Sequence, residues 1–298
     1  MISPPLLKSG DKVAIVSPSR MITKDQLVKA RKVLTSWDLE VVLGEHVYDQ
    51  QGYFAGTDAH RLSDLQAALD DHEIKAIFCS RGGYGMSRII DNINLKSIVN
   101  QPKWVVGFSD ITALHLKLHQ SGMESIHGLM PVQFEYEGVD KSIESLKNLL
   151  FNGVINYNIE ANENNRQGTA SGLVIGGNLS LLVDSLATGT ELETKGKILF
   201  VEEIDEYLYK IDRMFNHLKR SGKLNGIKGL IIGDFSQMKD TSIPYGKNIE
   251  ELILEYAGAF SGPIAFGFPI GHEAYHIAIP CGRQIMLKVN KEGTTLLG

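Results

Sequence analysis

Short β-rich apolar runs alternate with segments of helical period through the first half of the chain, and that alternation limits the possible folds more than any other feature. Asp11 to Ser19 holds Val13-Ala14-Ile15-Val16 and ends in turn residues. A helical segment beginning near Thr23 puts Leu27, Ala30 and Leu34 on one face, and Leu39 to Leu43 resumes as a strand. Such a βαβ unit takes a right-handed crossover and builds a parallel sheet whose ligand loops leave the C-terminal ends of the strands. The pattern repeats: a glycine-bearing loop from Tyr48 to Thr57, a helix from about Asp58 to Leu69, a strand from Lys75 to Cys79. Lys103 to Gly107 is the next buried strand. It bends at Ser109 into a helix whose apolar residues run from Ile111 through Leu114 to Leu118.

From Asn152 to Gly168 the composition shifts to Asn, Glu and Gly without period, which predicts a linker. The expected domains are therefore 1–151 and 169–298, with 152–168 between them. Beyond it, Ala170 to Asn178 reads as a strand and tight turn, Leu179 to Ala187 as a helix closed by Gly189, and Lys197 to Val201 as a buried strand. That strand runs into Glu202-Glu203-Ile204-Asp205-Glu206, which in isolation reads as a solvated acidic turn. An amphipathic helix over Tyr207 to Lys219, strands at Gly229–Phe235 and Pro263–Gly267, a helix over Ile249–Tyr256 and a closing hairpin from Arg283 complete the chain.

With 298 residues, 43% of them hydrophobic and 22% charged, the composition is that of a globular protein large enough for two domains. A net charge of −5 and the lack of a basic stripe exclude nucleic acid as a partner. No apolar run approaches the roughly 20 residues that span a bilayer, and the N-terminus has neither the basic lead nor the apolar core of a secretory signal. A cytoplasmic protein without membrane contact is expected. Cys79 and Cys281 lack metal-ligand spacing and read as small buried hydrophobes. No metal or other cofactor is expected.

Chemistry is signalled at four strand ends. Gly107-Phe108-Ser109 at a strand–turn–helix corner holds a hydroxyl out of the sheet, with helix amides pointing back at it, although Ile111 stands where the nucleophile-elbow signature has its second Gly. Ser80-Arg81-Gly82-Gly83-Tyr84-Gly85 lets backbone amides approach a ligand closely, as a phosphate cradle, as half of an oxyanion hole or simply as a turn. Arg88 replaces the last Gly of a dinucleotide fingerprint, and no Gly-Lys-Ser/Thr follows. His127, beside a short strand, is either a site contact or a structural residue. In chain order Ser109, Glu202 and His272 each follow a predicted strand, an order compatible with a hydrolytic triad.

Gly107-Phe108-Ser109-Asp110-Ile111-Thr112, Arg81-Gly82-Gly83-Tyr84-Gly85, Gly176-Gly177-Asn178-Leu179, Val201-Glu202-Glu203 followed by Tyr209-Lys210-Ile211-Asp212-Arg213, and Gly271-His272 followed by Ile279-Pro280-Cys281-Gly282 together resemble the LD-carboxypeptidase family of serine peptidases, also called muramoyltetrapeptide carboxypeptidases. The resemblance implies an α/β protein: an N-terminal flavodoxin-like parallel-sheet domain carrying the nucleophile and a C-terminal swivelling-type β/α domain carrying the acid and the histidine. It also implies an active site at their interface and commonly a homodimer. By match of motif, Ser109 is the nucleophile, His272 the general base and then acid, and Glu202 the group that orients the imidazole. The amide of Asp110, with one from Gly82 or Gly83, forms the oxyanion hole. Glu203 belongs on the other side of an extended segment, and register to Tyr209 and Arg213 favours Glu202. Arg81, with Tyr84 in the same loop, is the candidate for substrate contact and for the terminal carboxylate of the peptide.

The implied reaction releases terminal D-Ala from a cytoplasmic peptidoglycan tetrapeptide, at the L-centre of a diamino acid, in cell-wall recycling. Two alternatives accompany it. A hydrolase of peptidyl- or aminoacyl-adenylates of the microcin C type, conferring self-immunity, shares the catalytic motifs but needs an adenine-stacking aromatic in the C-terminal domain. Trp37 and Trp104 both lie in the N-terminal half, which favours the small muropeptide. The other alternative is a non-catalytic nucleotide- or phosphate-binding protein that uses the glycine loop.

Overall fold

A computed structural model describes residues 1–298, the side chain at 259 excepted. The chain begins with β1 (Lys12–Val16), α1 (Val28–Ser36), β2 (Glu40–Leu43), α2 (Asp58–Asp70), β3 (Ile74–Cys79), α3 (Met86–Ile89), α4 (Lys96–Asn100), β4 (Trp104–Gly107), α5 (Thr112–Gln120), β5 (Ser125–His127) and α6 (Asp140–Asn152). It continues through β6 (Asn156–Glu160), β7 (Gly168–Asn178), α7 (Leu179–Asp184), β8 (Ile198–Ile204), α8 (Leu208–Arg220), β9 (Gly229–Ser236), α9 (Ile249–Tyr256) and β10 (Ile264–Ala265). It ends in β11 (Ile279–Cys281), β12 (Gln284–Val289) and β13 (Gly293–Leu297). Two compact units result: Met1–Gly153 with Ala274–Gly282, and Val154–Glu273 with Arg283–Gly298.

In the first unit the strands lie in the order β2-β1-β3-β4-β5, all parallel, with β11 antiparallel on the outer edge of β5. This is the flavodoxin-like order, and its direction of winding reverses between β1 and β3. Both faces of the sheet are covered, so Val13–Val16, Ala76–Cys79 and Trp104–Val106 are near-continuous buried apolar runs. The loops after β1, β3 and β4 leave the C-terminal edge beside the reversal, and Ser17 Oγ and Ser80 Oγ, 2.7 Å apart, bridge the first two.

The second unit has a mixed sheet, β10-β9-β8-β7 parallel and β7-β12-β13-β6 antiparallel. α8 buries Ile211, Phe215 and Leu218, one face of the helix, each contributing about 1.5–3 kcal/mol. α7 stops at Asp184, short of the expected Ala187, which takes φ 61 beyond the helix end.

Two boundaries differ from the sequence reading. The stretch 152–168 contains β6, whose Tyr157 and Ile159 alternate with exposed Asn156 and Asn158 and which pairs antiparallel with β13. Only its partner strand makes so polar a segment extended. The expected 169–298 domain is also interrupted, because Ala274–Gly282 joins the first unit. There β11 completes the sheet edge, and the amides of His276 and Ala278 donate to Ser142 Oγ at 2.8 Å and Ser145 Oγ at 2.9 Å on α6.

Candidate active site

The strand–helix corner in the first unit turns abruptly after β4. Phe108 is extended, and Ser109 takes φ 61, a left-handed conformation rare for a residue with a Cβ. The chain then passes through a short 3₁₀ turn, Ser109–Ile111, into α5. Ile111 folds back over the strand: a Cβ at Gly107 would lie 2.9 Å from Ile111 Cγ1. The first glycine of the elbow therefore makes room for the residue that replaces the second. Asp110 is wholly buried, and its Oδ2 accepts from Ser19 Oγ at 2.5 Å and from the Met86 amide at 2.8 Å. Its side chain thus ties the loop after β1 and the start of α3 to the Ser109 corner.

Beneath the corner, the buried His115 bridges Ser125 Oγ through Nδ1 and Gly107 O through Nε2, each at 2.8 Å. Burial pushes its pKa down to about 4, so the neutral ring acts as a fixed strut between α5, β4 and β5. His127 is buried as well, its ring packed near Phe108, His115 and His276.

The glycine loop presses directly on the serine. A Cβ at Gly82 would stand 2.9 Å from Ser109 Cβ, 3.0 Å from its Oγ and 3.4 Å from the Asp110 amide nitrogen, so only glycine lets the loop backbone come this close. Arg61, 1% exposed, supports the loop from α2 by donating from Nη1 to Pro18 O and Gly85 O, both at 2.8 Å, and it pairs with Asp58. Arg81 is half-buried and donates from Nη1 to Met21 O at 3.2 Å, while Tyr84 is exposed and rests against the Phe54 ring. Gly83, with φ 108, faces the Tyr53 hydroxyl.

In the second unit β8 continues through both acids, with Glu202 0% and Glu203 3% exposed. The expected solvated acidic turn is instead the buried end of a central strand, because both carboxyl groups find partners inside the unit. Glu202 Oε2 lies 2.8 Å from His272 Nδ1. On the opposite face of the strand, Glu203 accepts from Asn178 Nδ2 at 2.8 Å and the Ile204 amide at 2.9 Å through Oε1, and from the Ser180 amide and hydroxyl at 2.8 and 2.6 Å through Oε2. It therefore anchors the start of α7.

A bulge aims the acid. Pairing between β8 and β9 steps from Val201↔Ile232 to Glu203↔Phe235, so Gly233 and Asp234 together oppose Glu202. A Cβ at Gly233 would lie 2.3 Å from Ile270 O and 3.2 Å from Glu202 Cβ, and this bare backbone admits the segment leading to His272. Phe268 N–H donates to Ile232 O at 3.1 Å and Asp234 N–H to Ile270 O at 2.8 Å, fixing that segment on β9.

A carboxylate only accepts, so His272 donates its Nδ1 proton to Glu202, which makes Nε2 the basic nitrogen of the ring. Burial acts to lower the His272 pKa. The neighbouring carboxyls, Glu202 first and then Glu203 and Asp234, outweigh it and hold the value above the ordinary 6.5. Asp234, pushed up to about 7 chiefly by burial and then by Glu273 and Glu202, was not singled out by its sequence. The available signal is its place at the end of the strand beside the acidic one.

A family model described as the LD-carboxypeptidase N-terminal domain matches residues 13–128, and one described as the LD-carboxypeptidase C-terminal domain matches residues 171–287. The chain is 37% identical over 288 residues to the probable murein peptide carboxypeptidase of Bacillus subtilis (strain 168), covering 94% of this chain and 90% of that one. It is similar to the crystal structure of muramoyltetrapeptide carboxypeptidase from Oxalobacter formigenes, with a TM-score of 0.88 at 26% identity over 96% and 98% of the two chains. The microcin C7 self immunity protein MccF in complex with aspartyl sulfamoyl adenosine gives a TM-score of 0.89 at 20% identity over 100% and 99%, a likeness of fold alone.

Proposed function

The chain belongs to the LD-carboxypeptidase family and is a serine carboxypeptidase, and we propose that it removes the terminal D-Ala of a peptidoglycan tetrapeptide through Ser109, His272 and Glu202. The observation that carries this reading is the His272–Glu202 pair at 2.8 Å, a base already held by an acid and set on a bulge that aims it. In the proposed reaction Ser109 Oγ attacks the carbonyl that precedes D-Ala while His272 Nε2 takes the hydroxyl proton. The imidazolium, stabilised by Glu202, gives that proton to the departing amine. Water then enters, loses a proton to the same nitrogen and attacks the acyl carbon; the bond from that carbon to Ser109 Oγ breaks, and the imidazolium returns the proton to Ser109 Oγ. The amide of Asp110, with one from Gly82 or Gly83, serves the oxyanion, a role supported by the closeness of Gly82 to Ser109.

Arg81, with Tyr84 beside it, is assigned to the terminal carboxylate. A muropeptide fits better than an aminoacyl-adenylate, since neither tryptophan can stack on a base: Trp104 is fully buried with its indole donating to Pro5 O at 2.9 Å, and Trp37 is 8% exposed. We place the activity in cytoplasmic cell-wall recycling by a homodimer. Among the described residues no helix is long and apolar enough to cross a membrane.

Mass spectrometry after incubation with a tetrapeptide stem tests the substrate. Loss of a single alanine is expected. An unchanged stem beside a cleaved aminoacyl-adenylate analogue would overturn the assignment.

A further inference from the structure

We propose that His46, Asp49 and His60 form a binding site for a divalent transition-metal ion of the Zn²⁺ class, apart from the serine chemistry. His46 and Asp49 lie on the turn after β2, where the His46 amide donates to Asp64 Oδ2 at 2.9 Å and the Asp49 amide to His46 O at 2.9 Å. His60 lies in the first turn of α2, its amide held by the capping hydroxyl of Thr57 at 3.1 Å. Backbone and cap hydrogen bonds therefore fix all the elements that present the side chains.

The two imidazoles stack with centroids 4.0 Å apart and planes 15° from parallel, and both turn Nδ1 to one oxygen, Asp49 Oδ2, at 2.9 and 2.8 Å. The donor atoms of the three residues all lie within 4.8 Å of one another. Two imidazole nitrogens and one carboxylate oxygen are the donor set of an open zinc site. Around an ion with arms of about 2.1 Å, tetrahedral donors stand about 3.4 Å apart, so small side-chain rotations suffice to admit it.

Two further observations agree. The side chains of His46, Asp49 and His60 are 25, 38 and 42% exposed, so an ion can enter and water can complete its shell. Gly56, at φ 77, has no side chain where a Cβ would come 3.0 Å from Asp49 Cβ and 3.1 Å from His60 Nδ1.

The ion would clamp both ends of the segment between Asp49 and His60. That segment carries Tyr53, whose hydroxyl faces Gly83, and Phe54, whose ring lies under the Arg61 and Arg88 guanidiniums.

Isothermal titration of the chelator-treated full chain with Zn²⁺ tests this. One equivalent is expected to bind, and His60→Ala and Asp49→Asn should each weaken binding about tenfold or more, while His217→Ala on α8 binds like the wild type. Circular dichroism confirms that each variant folds. The Co²⁺-loaded wild type should show the intense visible bands of a tetrahedral site, absent from a His46→Ala/His60→Ala variant. Failure of the wild type to bind, or equal binding by that double variant, would mean that the three side chains form a hydrogen-bonded cluster only.

Discussion

Ser109 holds φ 61, a conformation that costs about 1–3 kcal/mol and persists only because the surroundings impose it. The imposing groups are the buried Asp110 carboxyl and the side-chain-free approach of Gly82. Gly82→Ala is therefore expected to lower kcat about 10²-fold, by displacing a group set for reaction, with the melting curve nearly kept; unchanged turnover would remove this contact from the account. In its proposed role His272 is a neutral base, and its pKa is raised, so kcat/KM should fall as pH drops through that value. In Glu202→Gln the principal group raising it is gone, and the acid limb of the pH profile should move to lower pH while kcat falls on the order of 10⁴-fold. An acid limb that stays in place would contradict the pairing. Asp234 makes stability itself depend on pH. Its pKa rises from 3.8 unfolded to about 7 folded, so the folded state holds the extra proton between those values and loses stability as pH climbs through them. Asp234→Asn should raise Tm at pH 8 and lose that advantage near pH 4, as thermal melts at both pH values would show.

Elements with a strong apolar period are legible in the sequence. The β1-α1-β2 unit, the Ser109 corner and the amphipathic face of α8 are written in the spacing of Leu27, Ala30 and Leu34, of Trp104 to Gly107, and of Ile211, Phe215 and Leu218. Elements whose stability comes from a distant partner are not. β6 is polar and extended only against β13, and the acids at the end of β8 look solvated until Asn178, Ser180 and His272 meet them. His46 and His60 sit on different elements, so no ligand spacing announces them. Arg61 belongs to the same class: its register on α2 reads as ordinary, yet it holds the glycine loop through Pro18 O and Gly85 O. Arg61→Met should destabilise the protein by about 1–3 kcal/mol, by leaving buried carbonyls without a donor, and raise KM through a loosened loop. Urea titration with parallel kinetics checks both, and an unmoved midpoint would mean that Arg61 supports nothing.

Across the whole molecule, the first unit is closed by residues from near the end of the chain. β11 covers the outer edge of β5, and residues 274–278 engage Ser142 and Ser145 on α6. A fragment of residues 1–153 should consequently expose an unpaired strand edge and elute as aggregate in gel filtration, whereas a monodisperse fragment with native helix content would show that β11 is dispensable. The proposed function makes Ser109, Glu202 and His272 parts of one reaction, and that joint role is the central claim. It is tested most directly by alanine release from a tetrapeptide stem in Ser109→Ala, with substrate binding followed in parallel. A loss in kcat on the order of 10⁶-fold with binding largely kept is the predicted result, and turnover close to wild type would contradict it.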